Sequence, residues 1–472
     1  MIKEARNRPF IKRVLFTTVP LLLLFVAYAV WLLTGVPVEL PAQIAAGAVT
    51  FLFALLGVRF IPQWMDAWSR KPWQPQRLPD GKRSGRRDKL HPFFKIVFAL
   101  ALFRLLIIVS AYAMLHAETG YSGGLSDTLD LWNRLGTDGR HYLNIAKNWY
   151  VPTGDDRLLI VFLPFYPILV RAFSYVFQSY LASGLFVSNA CCVLAGYVFY
   201  ELALIDMDRR SALRSLKFLC LLPAFFLLGA PLSDSLFLLL SVSCVYFMRK
   251  DRYVLCGLMG MLASFTRMPG LLLVAPVCFE LVGKIIREAP VHRGQSRREW
   301  LHDIVLRCCC VLIIPMGFVA YLVVNRMVTG EATMFLTYQR DHWHQQMGWF
   351  FATVATQVKS LVSAAGPEGN AEMLWGLWLP NLLYLFASLG VVTAAQKKLR
   401  ASNVAYFILY YIVCMGATWL LSAPRYLTAC YPLALSMGAL TQKRWANILA
   451  TCLCIALQAV YLLFYVNQWY VY

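Results

Sequence analysis

The sequence predicts an all-α, polytopic membrane protein of about 11–13 transmembrane helices. Three observations carry that expectation. Hydrophobic residues fill 59% of the 472 positions and charged residues only 14%, a balance too apolar for a water-soluble domain. Uncharged apolar runs of about 18 residues or more recur, each long enough to cross the hydrocarbon core. The formal net charge of +20 is concentrated in short loops between those runs. That is the distribution of cytoplasmic loops in a polytopic protein, and it argues against nucleic acid as the partner of the basic excess.

The elements follow in chain order. A basic start (Lys3, Arg6, Arg8, Lys12, Arg13) precedes the first run, 14–33. That run is long and lacks a convincing small-residue cleavage site, so it reads as a retained span. A second span, 42–60, completes a hairpin. The polar stretch from Gln63 to Leu90 then holds Arg70, Lys71, Arg77, Lys82, Arg83, Arg86, Arg87, Lys89 and several prolines. The chain thus divides into residues 1–90, a two-span hairpin with a basic cytoplasmic linker, and residues 91–472, a transmembrane core. Further spans are expected near 93–116, 182–205, 213–230, 233–248, 254–268, 270–283, 304–326, 375–395, 403–421, 424–441 and 446–467. The run from Leu158 to Phe177 is apolar but contains Pro164, Pro167 and Arg171. It suits a half-inserted or surface helix.

With a cytoplasmic N-terminus, the basic loops at 63–90, 206–217, 249–252, 284–303, 397–402 and 442–445 all fall inside, provided 158–177 does not cross. The segments 117–157, 231–235, 327–374 and the turns near Arg267 and Arg425 then face outward. The 13 cysteines, such as Cys191, Cys192, Cys220 and Cys308 to Cys310, sit mostly within apolar runs. They read as small buried hydrophobes, with no disulfide framework and no paired metal-ligand spacing.

The outward segments hold most of the unusual polar residues. In Leu131–Tyr150, Tyr142, Ile145, Ala146 and Trp149 fall at i, i+3, i+4 and i+7, one apolar helical face. The segment is expected to lie on the membrane surface as an amphipathic helix. Asp138, Arg140 and His141 crowd its start. Asp138 suits a helix N-cap and equally a general base, and the two roles are compatible. Asp234 follows at the start of another span, Thr266-Arg267 at the end of a third, then Gln339, His342, Trp343 and His344, and finally Arg425-Tyr426. Bland roles exist for each: Arg267 and Arg425 as headgroup-level snorkelling cations, Asp234 as a cap, His141 as a helix-face residue, Gln339 and Trp343 as interfacial anchors.

No metal or nucleotide site is expected. Asp206-Met207-Asp208 matches the acidic pair with which nucleotide-sugar transferases hold a divalent ion, but the match is short and sits in a small loop. His342-Trp343-His344 lacks a nearby third ligand, and no glycine-rich phosphate loop follows a strand-like run. A carboxylate with separated arginines at membrane level suits group transfer from a lipid-phosphate carrier. The carboxylate takes a proton from an attacking hydroxyl. Arg267 or Arg425 holds the departing phosphate, since guanidinium binds phosphate bidentately and stays charged. Neither ATP nor a metal is required. The alternative is a transporter or flippase of a lipid-linked molecule, which calls for a second polar cluster on the cytoplasmic side and an internal repeat; no repeat is evident. A catalytically inactive scaffold is a third class.

These residues fall in runs that resemble the PIG-V family of membrane mannosyltransferases, a branch of the GT-C glycosyltransferases that use polyprenyl- or dolichyl-phosphate sugars. Asp138-Gly139-Arg140-His141-Tyr142-Leu143-Asn144-Ile145-Ala146, with Trp132 before it, resembles the family's Asp-x-x-His-Tyr-x-x-Ile-Ala run. Phe162 to Pro167 with Arg171 resembles its Phe-Pro-x-x-Pro segment, and Ser233-Asp234-Ser235-Leu236-Phe237 its Ser-Glu-Ser-x-Phe turn. Thr266-Arg267-Met268-Pro269-Gly270 resembles Thr-Arg-x-x-Gly. Gly330-Glu331 through Phe335, Gln339 and Trp343 resembles the Gly-Asp-Pro…Phe…Gln…Trp loop. Ser422 to Tyr426 with Pro432 resembles Ser-x-x-Arg-Tyr…Pro. The likeness covers roughly residues 92 to 441. Thr137 stands where the family has an aromatic, Asp234 where it more often has Glu, and the N-terminal hairpin has no counterpart.

The resemblance implies a GT-C-like core in a bacterial plasma membrane, or an ER membrane in a eukaryote. It implies a lipid-linked sugar donor, a lipid or glycan acceptor, and a site on the non-cytoplasmic face. Asp138 is then the base and His141 orients it or contacts sugar. Arg140, Tyr142, Asp234, Arg267, Gln339, Trp343, Arg425 and Tyr426 are the substrate-binding candidates, and Tyr142, Ile145 and Trp149 also hold their helix in the interface.

Overall fold

The long apolar runs become helices, and several carry a Pro, a Gly or a buried charge within them, as at Pro62 of α2 (Leu40–Ala67) and Arg104 of α3 (Pro92–Thr119). The structure, a computed structural model, describes residues 2–34, 39–68, 92–120, 123–124, 127–133, 137–289 and 297–472. The linker cations from Arg70 to Lys89 lie outside the described residues. In chain order the helices are α1 (Ile2–Thr34), α2 (Leu40–Ala67), α3 (Pro92–Thr119), α4 (Asp138–Asn148), α5 (Phe165–Phe177), α6 (Tyr180–Asp206) and α7 (Arg209–Leu221). Next come α8 (Asp234–Arg249), α9 (Tyr253–Thr266), α10 (Val274–Glu288), α11 (Arg297–Leu312), α12 (Met316–Thr329), α13 (Met334–Asp341) and α14 (Phe350–Ala365). The last are α15 (Ala371–Met373), α16 (Leu379–Ala395), α17 (Ala401–Met415), α18 (Ala423–Ala429), α19 (Pro432–Leu440) and α20 (Arg444–Val466). Among the described residues there is no β-strand, only an isolated bridge between Met347 and Ala417.

The protein is thus an all-helical, multi-pass membrane protein. Among the described residues, seven helical stretches are long and apolar enough to cross a bilayer, or nine if each of two bent pairs is one span. Among them, fewer full-length spans form than the 11–13 expected. The apolar runs at 213–230, 233–248, 254–268, 403–421 and 424–441 fold as shorter pieces: α7 has 13 residues, α8 16, α9 14 and α17 15. At 1.5 Å per residue these reach about 20–24 Å, short of a hydrocarbon core of about 30 Å. α8 is apolar on all sides because it is buried among other helices, from Leu236 to Met248. Leu158–Phe177 does not cross as a straight span: a 3-10 turn (Asp155–Val161) meets α5 at 111°.

Two packing features place the site. α8 lies against α6 and α9, and α9 approaches its other neighbours through small residues. A Cβ at Gly260 would stand 2.6 Å from Ile314, and Gly317 of α12 abuts the Met261 carbonyl. Glycine at such crossings lets helix backbones approach closely. On α2, Ala42, Ala46 and Val49 face inward while Ile44, Phe51 and Val58 are exposed, and Phe53 packs on Phe350 of α14 with ring centroids 4.7 Å apart.

α4 does not rest on lipid. Its apolar face is buried against the protein: Tyr142, Ile145 and Ala146 are all enclosed, packed on α5 and α6. Trp149 is no longer helical; it is the C-cap, with φ of 66°. The i, i+3, i+4 pattern marks a buried face without saying what covers it.

Candidate functional site

Four charged side chains from four elements meet at one end of the bundle. Asp138 and Asp234 are the first residues of α4 and α8, where the partial positive charge of a helix N-terminus favours a carboxylate. Arg267 ends α9 in extended backbone, just before a 3-10 turn at Met268–Leu273. Arg425 lies in the first turn of α18.

They form a line of alternating sign. Arg425 Nη2 donates to Asp138 Oδ2 at 2.5 Å, and Arg425 Nε stands 3.5 Å from Asp234 Oδ2. Asp234 Oδ1 accepts from Arg267 Nη1. Asp234 and Arg425 are almost wholly buried, whereas the Asp138 side chain is 34% exposed. The line therefore opens to its surroundings at Asp138. The two charges of each sign cancel, and among the described residues the Arg425 Nε–H is ion-paired with Asp234 rather than hydrogen-bonded.

Neighbouring groups hold the line in place. Tyr142 Oη and Ser233 Oγ share a hydrogen bond of 2.8 Å, tying α4 to the start of α8. A Cβ on Gly139 would come within 3.1 Å of the Pro231 ring, so the small residue beside Asp138 lets α4 approach the turn before α8. The Tyr426 ring lies under both cations, 4.8 Å from Arg267 and 5.2 Å from Arg425. Before α18, Asn381 accepts from the Ala423 N–H at 3.1 Å, and Gln357 donates to the Leu420 carbonyl at 2.5 Å.

The expected residues thus divide. Asp138, Tyr142, Asp234, Arg267, Arg425 and Tyr426 are brought together. Neither carboxylate is a side-chain cap: Thr137 and Ser233 occupy the N-cap positions, and both acids turn to arginine. The hydrogen bond to Asp138 comes from Arg425, and His141 acts on Asp138 through charge. The imidazole stacks on Phe162 at 5.1 Å, and Trp343 meets the same ring edge-on at 6.2 Å. His141, Phe162 and Trp343 form an aromatic wall beside Asp138. Arg140 points away, donating to the Asn133 carbonyl at 2.9 Å. Gln339 is hydrogen-bonded to Gln345 and lies outside the charge line. Asp206 is buried in an ion-pair cluster and Asp208 caps α7 by accepting from Arg210 N–H at 3.1 Å.

Phe162 opens the run that resembles the Phe-Pro-x-x-Pro segment but is not among the substrate-binding candidates; its ring contacts place it in the wall. Arg249, Glu280 and Arg400 form a second buried charge cluster that no motif in the sequence marks. Glu280 inside an apolar run was the available signal, since a lone intramembrane charge requires a partner.

Burial pushes the Asp138 carboxyl up, but Arg425, His141 and Arg267 outweigh it and hold it below the usual carboxylate range. Burial pushes His141 down, against the pull of Asp138 and Asp156. A depressed carboxyl stabilises the fold above its unfolded pKa of about 3.9, and that contribution is lost as pH falls through the folded value. The stability advantage of wild type over Asp138→Asn should therefore stay level from pH 8 to about 5 and shrink only below about 4. Thermal unfolding across that range checks it; an advantage that vanished between pH 7 and 5 would contradict the depressed pKa.

The fold and site together define a class: a helical membrane protein with a partly open carboxylate–guanidinium line at one end of its bundle. No protein-family model and no curated protein matches the chain. Among solved structures it is similar to ArnT from Cupriavidus metallidurans bound to undecaprenyl phosphate. The TM-score is 0.43 and identity 15%, covering 75% of this chain and 62% of that one. It is also similar to the oligosaccharyltransferase AglB from Archaeoglobus fulgidus in complex with an inhibitory peptide and a dolichol-phosphate. There the TM-score is 0.41 and identity 15%, covering 80% of this chain and 56% of that one. The chain spans less than two thirds of the length of either, and likeness of this extent says nothing of its reaction.

Proposed function

We propose that this protein is an integral-membrane, GT-C-type glycosyltransferase. It moves a sugar, mannose by resemblance to the PIG-V family, from a polyprenyl or dolichyl phosphate to a hydroxyl of a lipid or glycan acceptor. The reaction runs with inversion on the non-cytoplasmic face and uses neither a metal nor a nucleotide. The observation that carries this reading is the direct contact between the partly exposed Asp138 carboxylate and buried Arg425. A base and a cation for the leaving phosphate stand side by side.

In this mechanism the donor phosphate binds Arg425, with Arg267 behind it. A phosphate competing for Arg425 takes away the charge that depresses the Asp138 pKa, so donor binding raises the basicity of Asp138. Asp138 then removes the proton of the acceptor hydroxyl. The acceptor oxygen bonds to the anomeric carbon as the bond from that carbon to the phosphate oxygen breaks. The electron pair leaves on polyprenyl phosphate, where guanidinium groups stabilise it. Asp234, bonded to one arginine and 3.5 Å from the other, positions both cations and reduces their mutual repulsion. The wall of His141, Phe162 and Trp343 offers apolar faces to a sugar ring.

The transporter reading has one observation in its favour. A second buried charge cluster, Asp206, Arg249, Glu280 and Arg400, lies at the far end of α8. Its charges pair with one another, and the adjoining cavity of about 30 Å³ has room for no more than about a water.

The deciding experiment reconstitutes purified protein with radiolabelled polyprenyl-phosphate mannose and a membrane lipid extract. Transfer predicts label in a new product and release of polyprenyl phosphate. Transport predicts unchanged donor that has moved between leaflets. Movement without product would sink the enzymatic proposal.

A further inference from the structure

A groove of about 380 Å³ opens between α3, α6 and α7, well away from the charge line. Its walls are mainly apolar, including Leu100, Phe103 and Leu213, and its cations are Lys95, Arg209 and Lys217. No acidic residue lines it among the described residues. Tyr200 of α6 lines the groove, while Gly184 of the same helix packs beside Pro231 near the site. A separation of sixteen positions along the helix puts the two regions about 24 Å apart along the axis.

The shape and charge suit an amphiphile. Lys95 and Arg209 lie at the starts of α3 and α7 and are exposed. Lys217 sits deeper, its ammonium donating to Asn447 Oδ1 at 2.5 Å and Thr451 Oγ1 at 2.6 Å. These partners are neutral, so the positive charge is not cancelled there. From Lys95 to Phe103 the apolar wall runs about 12 Å along α3. The outer side of α3 exposes Phe94, Phe98, Leu102 and Leu106, as a lipid-facing span does. A site with cations at its mouth, an apolar wall below and no carboxylate is complementary to one phosphate diester carrying acyl chains.

We infer that this groove binds an anionic phospholipid. The phosphate meets Lys95 and Arg209, and an acyl chain lies against Leu100 and Phe103. The lipid joins α3 to α6 and α7 at the end of the bundle opposite Asp138. This site is independent of the proposed transfer chemistry, and its test reads binding alone.

The test uses full-length protein in neutral detergent, titrated with dioleoyl phosphatidylglycerol and, separately, with dioleoyl phosphatidylcholine, and read by native mass spectrometry. Wild type should bind phosphatidylglycerol at least tenfold more tightly than phosphatidylcholine. Removing two cations, in Lys95→Gln/Arg209→Gln, should weaken phosphatidylglycerol about thirtyfold and leave phosphatidylcholine unchanged. Ala99→Trp, which fills the groove from an exposed position on α3, should weaken the same lipid while all charges remain. Circular dichroism confirms that each variant is folded, and either variant alone decides the matter. Equal binding of the two lipids by wild type, or unchanged phosphatidylglycerol affinity in a folded variant, overturns the proposal. So does displacement of phosphatidylglycerol by equimolar undecaprenyl phosphate, which would assign the groove to the donor class of lipid.

Discussion

Asp138→Asn should lower the rate of sugar transfer by about a hundredfold or more, with little loss of donor affinity. Loss of a positioned general base has a cost of that order. The amide oxygen can still accept from Arg425, so the local fold is kept while the proton acceptor is removed. Arg425, freed of a competing carboxylate 2.5 Å away, should hold an anionic donor at least as tightly as before. The expected pattern is therefore a fall in kcat with KM for the donor level or lower. That pattern marks an interaction made mainly in the transition state. Asp138→Ala should give a similar loss of rate. Initial rates with purified protein and labelled polyprenyl-phosphate mannose check both variants. Near-wild-type turnover by the two together would remove Asp138 as the base.

The second large effect is on stability. Arg249→Met should destabilise the fold by about 3–5 kcal/mol, the usual cost of taking one partner from a buried ion pair. Arg249, the last residue of α8, donates to Asp206 Oδ2 at 2.5 Å and to Asn403 Oδ1 at 2.7 Å, and lies 3.6 Å from Glu280. Arg400 donates to Asp206 Oδ1 at 2.6 Å and stands 3.3 Å from Glu280. Ser402 Oγ donates to Glu280 Oε1 at 2.6 Å. Two acids and two bases thus balance and tie together the ends of α6 and α8, the middle of α10 and the start of α17. Removing Arg249 alone leaves a net negative charge in an enclosed site. Arg249→Met/Glu280→Leu removes one charge of each sign and should recover much of the loss, since apolar replacement of a whole buried pair is often close to neutral. Thermal unfolding in detergent measures both. An unchanged unfolding temperature for Arg249→Met would mean that the cluster does not hold these helices together.

Much of the architecture was legible in the sequence because hydropathy is a local property. An apolar run such as 182–205 predicts a helix from its own residues, and α6 covers it. The basic loops likewise announce helix ends. Arg249, Arg400 and Lys398 do gather at one end, with Lys398 Nζ bonded to the Ala439 carbonyl at 3.0 Å, and the charge line of Asp138 occupies the other. Span length was harder to read, because an apolar helix buried in protein and one bathed in lipid share a composition. α8 and α17 were expected as full spans for that reason.

By itself, the sequence determined the class of protein, the helical character of nearly every segment, and the short list of polar residues that an apolar environment makes expensive. Only the tertiary structure decided how those residues pair. Asp138 and Arg425 are separated by 287 positions, and no periodicity or spacing rule reaches across such a distance. The face of α4 was visible as apolar, yet whether lipid or α5 and α6 would cover it depended on where the rest of the chain folded. Ion pairing and burial are set by which surfaces meet in three dimensions, whereas helix formation and hydropathy are set by residues within a few turns of one another.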